Sequence, residues 1–161
     1  MYRKILVPMD DSDCAKAALR EVIKLAADRP REVQLLHVVD SLHRNEALPE
    51  GSLGVIMQDT PRNEGLKLLE EARAILAREG IEAKPVLVES AGRRPAVVIN
   101  EHVRHWSADL IVMGTHGRRG VSRLVLGSEA AEVVNRALIP VLLVRDVKRL
   151  PAEETPDAAP G

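Results

Sequence analysis

The sequence predicts an α/β fold: one domain built on an open, parallel, five-stranded sheet with helices on both faces. Three observations carry this reading. Short apolar runs alternate with amphipathic stretches of helix length along the chain. The runs are apolar nearly throughout, as strands covered on both faces must be. The connections between them are long enough for helical crossovers, which parallel strands need.

"KILVPM" (Lys4 to Met9) is the first strand, stopped by Asp10, Asp11 and Ser12. Ser12 caps a helix from Cys14 to Ala27, where Ala15, Ala18, Leu19, Val22, Leu25 and Ala26 recur at helical steps. "VQLLHVV" (Val33 to Val39) is the second strand. Asp40 to Thr60 carries Pro49, Gly51 and Gly54 without a clean period, and a loop this long in a compact domain is usually functional, mobile or partly helical. Thr60 and Pro61 offer a cap and a first-turn proline for a helix that ends at Gly80. "IEAKPVLVE" is the third strand, with Pro85 indicating a sheet edge. A helix over Pro95 to Trp106, the strand "DLIVM", a helix over Ser128 to Ala137 and the strand "PVLLV" (Pro140 to Val144) complete the series. The domain thus covers residues 1–146, and the tail 147–161, rich in Pro, Ala and acid, is expected to be disordered.

The chain has 161 residues, of which 45% are hydrophobic, enough for one ordinary core. Its 23 Lys and Arg nearly balance 24 Asp and Glu, so any anion site must be local. With no Phe, one Tyr and one Trp, it lacks the aromatic platforms of single-stranded nucleic-acid binders, and no nucleic-acid partner is expected. The single cysteine, Cys14, excludes an internal disulfide and fits a reducing, cytoplasmic address. No apolar run approaches the roughly 18 residues of a membrane span, and the amino terminus is too short in its apolar part for a signal peptide, so membrane insertion is not expected.

In an open parallel sheet, ligands bind beyond the carboxyl ends of the strands, where the strand order reverses. Two stretches lie on that rim, "MDDS" and "GTHGRRGVSRLVLGSEA". In the second, Gly114 and Gly117 enclose two residues, and nine more precede Gly127-Ser128 at a helix start. Glycines there allow close backbone approach, and the amides of Gly127, Ser128 and Glu129 are expected to be unpaired and to favour an anion. The Ser128 hydroxyl and the side chains of Arg118, Arg119 and Arg123 add donors and charge. Three or four hydrogen bonds to a charged group, at about 1.5–3 kcal/mol each, would support micromolar binding, about −8 kcal/mol, after ordering costs. Spacing alone equally allows a plain strand-to-helix turn with solvated arginines. The loop is not a P-loop, because no lysine follows these glycines, and no G-x-G-x-x-G follows the first strand. "PMDDS" also lacks the serine-glycine-glycine signature of pyrophosphatase-type ATP enzymes.

The pattern G-x2-G-x9-G-[ST], read as Gly114, Gly117, Gly127 and Ser128, resembles the ATP-binding motif of the universal stress protein family. "ADLIVMGTHGRRG" and "LGSEAAEVVNRALIPVLLV" look like that family's carboxyl-terminal half, and "KILVPMDDS" and "LLHVVD" are similar to its amino-terminal half, so the resemblance covers residues 2 to 145. It implies strand order 3-2-1-4-5, an adenine nucleotide alpha hydrolase-like sheet with its switch point between strands one and four. It further implies that Pro8, Met9 and Asp10 border an adenosine, with Asp10 near the ribose or adenine. Val38 would meet the adenine edge through its backbone. Gly114, Gly117, Arg118, Arg119, Gly127, Ser128 and Glu129 would surround ribose and phosphates. Asp11 stands where the family often has glycine, which places another acid near the cavity.

The resemblance thus implies an ATP-binding signalling or stress-response module, with Mg²⁺ bound through the phosphates and a protein partner that the sequence does not identify. The alternatives are a slow ATP hydrolase and a regulatory protein that binds no nucleotide. No catalytic residue is assigned, since no paired carboxylates or nucleophile-base couple is visible. Asp10 also reads as a metal ligand or a helix cap. His102 and His105 read as surface histidines, Cys14 as a packed thiol, and Arg93-Arg94 as a solvated helix start. His116 reads either as a phosphate contact or as a solvated loop residue. In the order 3-2-1-4-5 the fifth strand is an apolar edge, and a homodimer through it is expected.

Overall fold

The computed structural model describes residues 2–27, 29–40, 60–116 and 126–146. In chain order these form β1 (Lys4–Pro8), α1 (Asp13–Ala26), β2 (Glu32–Val39), α2 (Thr60–Arg78), β3 (Ala83–Glu89), α3 (Pro95–Trp106), β4 (Leu110–Gly114), α4 (Ser128–Arg136) and β5 (Val141–Val144). The sheet order is β3-β2-β1-β4-β5 and every pairing is parallel. The expected fold class and strand order are therefore both observed. The loop 41–59, the glycine-loop residues Gly117, Arg118, Arg119 and Arg123, and the tail 147–161 lie outside the described residues.

Strand alternation sorts the core into two layers. Ile5, Val7, Val33, Leu35 and Val112 face α1 and α2 through Ala18, Leu19, Val22, Leu69 and Leu76. Leu6, Leu36, Ile111 and Met113 face α3 and α4 through Ile99, Val103, Ala130 and Val133. Among the described residues no Phe, Tyr or Trp is buried in the core, although Trp106 packs against its edge; the largest fully buried side chains are Ile, Leu and Val. Burying one such side chain contributes about 1.5–3 kcal/mol, so the layers are held by number and fit rather than by a few large residues.

Element ends differ from expectation by a residue or two, each for a local reason. Ile81 belongs to the end of α2 and not to β3: its N–H reaches the Leu76 carbonyl (3.0 Å) while Gly80, at φ +72°, reaches Ala77. Asp109 precedes β4 because its carboxylate accepts the amides of Arg3 (2.7 Å) and Lys4 (3.0 Å), fastening β4 to β1. Thr60 is already helical and does not serve as a preceding cap. Pro85 does sit on an edge strand, since β3 pairs with β2 alone.

Candidate functional site

The chain leaves β1 on one side of the sheet and β4 on the other, so a cleft opens beyond their carboxyl ends. On the β1 side, Met9 is buried and its N–H reaches the Leu36 carbonyl at 2.8 Å. Its own carbonyl accepts from His37 Nδ1 at 2.7 Å, which fixes the imidazole proton on that nitrogen. Asp10 follows, half-buried, and its Oδ1 accepts from both the amide (3.0 Å) and the hydroxyl (2.5 Å) of Ser12. Ser12 caps α1 as the sequence predicts, its Oγ accepting from the Ala15 amide at 3.1 Å. The same hydroxyl lies 3.3 Å from the His116 carbonyl across the cleft. One side chain thus ties the acid, the helix start and the opposite rim together.

On the β4 side, Gly114 lets the first turn of α1 close on the strand end: a Cβ there would stand 2.7 Å from Cys14 Cβ and 2.8 Å from its carbonyl carbon. Thr115 is buried, its amide bonded to the Val144 carbonyl at 2.9 Å. Its carbonyl accepts from Gly127 at 2.9 Å, so the two ends of the glycine loop are joined at their base. This corrects one expectation. The Gly127 amide is spent on the loop closure, and the Gly127 carbonyl on Ala131 (2.9 Å), leaving the amides of Ser128 and Glu129 without a backbone acceptor among the described residues. Those two amides begin the nine-residue α4 and point its positive end toward the rim.

The electrostatics are mixed. Glu129 has surface exposed to solvent, yet its carboxyl pKa is raised above the ordinary value, by desolvation first and then by the charges of Asp10 and Glu132. The charge of Asp10 thus acts on the Glu129 carboxyl from across the end of the sheet. Arg93 and Arg94 are exposed at the start of α3, where Arg94 is the N-cap residue, as expected of a solvated helix start; Arg94 also reaches Glu132 at 2.8 Å, and Arg93 bonds Glu101 and the Ser90 carbonyl.

The sequence-predicted rim residues that the structure describes, Pro8, Met9, Asp10, Val38, Gly114, Gly127, Ser128 and Glu129, all fall at this end of the sheet. His102 and His105 do not form a surface pair: His102 is half-buried and its Nε2 bonds Gln34 Oε1 at 2.8 Å, while His105 is exposed. Cys14 is half-buried with Sγ 4.0 Å from Thr115 Oγ1, and His116 Nδ1 is 3.1 Å from the same hydroxyl. Sequence reading missed His37, Thr115 and Gly65. A histidine in the apolar run "LLHVV" and a glycine inside the helical period of α2 were the available signals.

This geometry matches that of known proteins. The universal stress protein family model fits residues 1–145. The chain belongs to the universal stress protein family. It is 33% identical to universal stress protein YxiE of Bacillus subtilis, over 90% of this chain and 100% of that one. The solved structure of protein MJ0577 from Methanocaldococcus jannaschii superposes with a TM-score of 0.77 at 28% identity, covering 91% of this chain and 97% of the other. The universal stress protein of Archaeoglobus fulgidus, solved in complex with dAMP, gives 0.63 at 25% identity over 89% and 98% of the two chains. Membership in the family places this chain among stress-response proteins in that general sense.

Proposed function

We propose that this universal stress protein binds an adenine nucleotide, with ATP as the ligand, in the cleft beyond β1 and β4, and acts as a nucleotide-dependent signalling module. The observation that carries the reading is the convergence at one end of the sheet of an oriented carboxylate, Asp10, with the two amides that open α4 and have no backbone acceptor among the described residues. Asp10 Oδ1 is held by Ser12, which leaves Oδ2 to accept from a ribose hydroxyl. The Ser128 and Glu129 amides and the Ser128 hydroxyl suit a phosphate. The motif of Gly114, Gly117, Gly127 and Ser128, and the dAMP bound by the Archaeoglobus relative, support the same ligand class. Arg118 and Arg119 are assigned to the phosphates on the motif alone.

The donor set also fits Mg²⁺ carried by the phosphates. Amides and a hydroxyl suit the phosphate oxygens, whereas Asp10 and Glu129 would repel a metal-free polyphosphate. Magnesium supplies charge neutralisation there. Binding outweighs turnover in this reading: Asp10 is tied to Ser12, and His116 to Thr115. Hydrolysis is proposed to be slower than roughly 0.1 per second, against a median enzyme rate of about 10 per second. The module works as a cytoplasmic homodimer through β5, an edge strand whose Leu142 is 37% exposed.

Calorimetry of the nucleotide-free protein with ATP, with and without Mg²⁺, tests the central claim. A dissociation constant near micromolar, tighter with Mg²⁺, is expected, about −8 kcal/mol. Absence of binding to ATP, ADP and AMP at millimolar concentration refutes it.

A further inference from the structure

We propose that His37 is a positioning residue for the nucleobase: by occupying the Met9 carbonyl it keeps the peptide group of Val38 open for an adenine edge. The inference deepens the adenine-nucleotide reading above and rests on it. Its basis is an interruption in the parallel ladder. The β1–β2 register ends at Pro8 opposite Leu36, and one backbone bond lies beyond it, Met9 N–H to Leu36 O. In a regular parallel ladder the next bond would run from the Val38 N–H to the Met9 carbonyl, because peptide groups alternate sides and those of Leu36 and Val38 both point toward β1. Here that carbonyl accepts from the His37 ring at 2.7 Å, and among the described residues the Val38 N–H makes no bond to Met9. The N–H and C=O of Val38 therefore form an adjacent donor and acceptor at the cleft. That pair matches N1 and the exocyclic amine of adenine, and mismatches the N1–H and O6 of guanine.

The imidazole is held in this role by α2. Gly65 passes directly over it: a Cβ at position 65 would stand 2.6 Å from His37 Cδ2, 3.1 Å from Nε2 and 2.8 Å from Leu87 Cδ1. Glycine in mid-helix is unfavourable by about 0.5–1 kcal/mol against alanine, and clearance for the His37 ring is the local reason for it.

His37→Leu, which removes the donor, His37→Asn, whose side-chain amide stands near the position of Nδ1, and Gly65→Ala, which displaces the ring, test the proposal. Thermal melting first establishes that each variant folds. In the ligand-free protein, NMR hydrogen exchange at the Val38 amide should slow at least about tenfold in His37→Leu and Gly65→Ala, as that N–H takes over the vacated carbonyl, and stay near wild type in His37→Asn. Calorimetry should show Mg-ATP affinity falling about tenfold in His37→Leu and returning to within about threefold in His37→Asn. Unchanged Val38 exchange in folded His37→Leu, or equal loss of affinity in the Leu and Asn variants, overturns the proposal. Should His37→Leu not fold, Val38 exchange in Gly65→Ala decides alone. Should wild type bind no adenine nucleotide, the functional reading fails, while Val38 exchange still decides the role of His37.

Discussion

Replacing Ser12 by alanine removes one oxygen that accepts from the Ala15 amide and donates to Asp10 Oδ1, with the His116 carbonyl at 3.3 Å as a longer, competing acceptor for the same proton. Loss of a serine cap costs about 1 kcal/mol. A hydrogen bond to a carboxylate contributes about 1.5–3 kcal/mol, and the half-buried setting of Asp10, with the Ser12 amide still in place at 3.0 Å, argues for the low end or below. The expected total is about 2 kcal/mol, or about 4–8 °C in Tm for a domain of this size. Ser12→Thr keeps the hydroxyl and should stay within about 0.5 kcal/mol. The effect on ligand should follow Asp10: Mg-ATP affinity in Ser12→Ala falls about fivefold to tenfold, and the same serine change in an Asp10→Asn background costs less, since the pair acts as a unit. Urea unfolding followed by circular dichroism gives the stability arm, and calorimetry the binding arm. A Tm within one or two degrees of wild type refutes the capping account. Strictly additive losses of affinity in the double mutant refute the claim that Ser12 acts through Asp10.

The other expectations are narrower. Glu129→Gln should raise Mg-ATP affinity about threefold at pH 7, because it removes a carboxylate from the anion side of the cleft, and the gain should shrink in high salt; calorimetry at two ionic strengths checks it. The Glu129 carboxyl pKa is raised in the fold, so the native state binds the extra proton and the group loses stability as pH rises above 4.5 through its folded value; Glu129→Gln should flatten that part of a Tm-against-pH curve. His102 shifts the other way, lowered by burial first and then by His105 and Lys84. Its neutral form is favoured in the fold, so its contribution is present above pH 6.5 and lost as pH falls through the lower folded value, and His102→Gln should reduce the loss of Tm between about pH 6.5 and 5. Light scattering of wild type at micromolar concentration should give twice the 17.6 kDa chain mass, and Leu142→Lys, with native circular dichroism, should give one; a wild-type monomer removes the β5 dimer.

Most of the fold is legible because strand burial writes itself directly into composition. "KILVP" and "LIVMG" are covered on both sides by helices, so neither face tolerates a polar residue, and the runs stand out against any helical period. Pro85 could be placed on an edge because it has no N–H for a second neighbour. Strand ends were less legible. Whether Ile81 extends a strand or closes a helix turns on its hydrogen bond to Leu76, and whether Asp109 starts β4 turns on amides more than one hundred residues away. Neither choice changes the hydrophobic pattern, so periodicity could not make it.

At the site, local chemistry was visible and long-range chemistry was not. The capping role of Ser12 needs only its neighbours Asp13, Cys14 and Ala15 and was readable; its grip on Asp10 and its approach to His116, 104 positions away, needed the fold. The Gly127 amide shows the same limit from the other side. A helix start predicts unpaired amides, but the Thr115 carbonyl, brought close by the closure of the loop, takes one of them. That closure changes what the glycines are for. Gly114 serves packing, since its missing Cβ makes room for Cys14 on α1, and Gly127 serves the loop base. On the proposed reading, ligand contact would pass to the first two amides of α4. A motif spaced like a phosphate cradle would on that reading divide its labour: Gly114 and Gly127 build the frame, and Ser128 and Glu129 offer the donors.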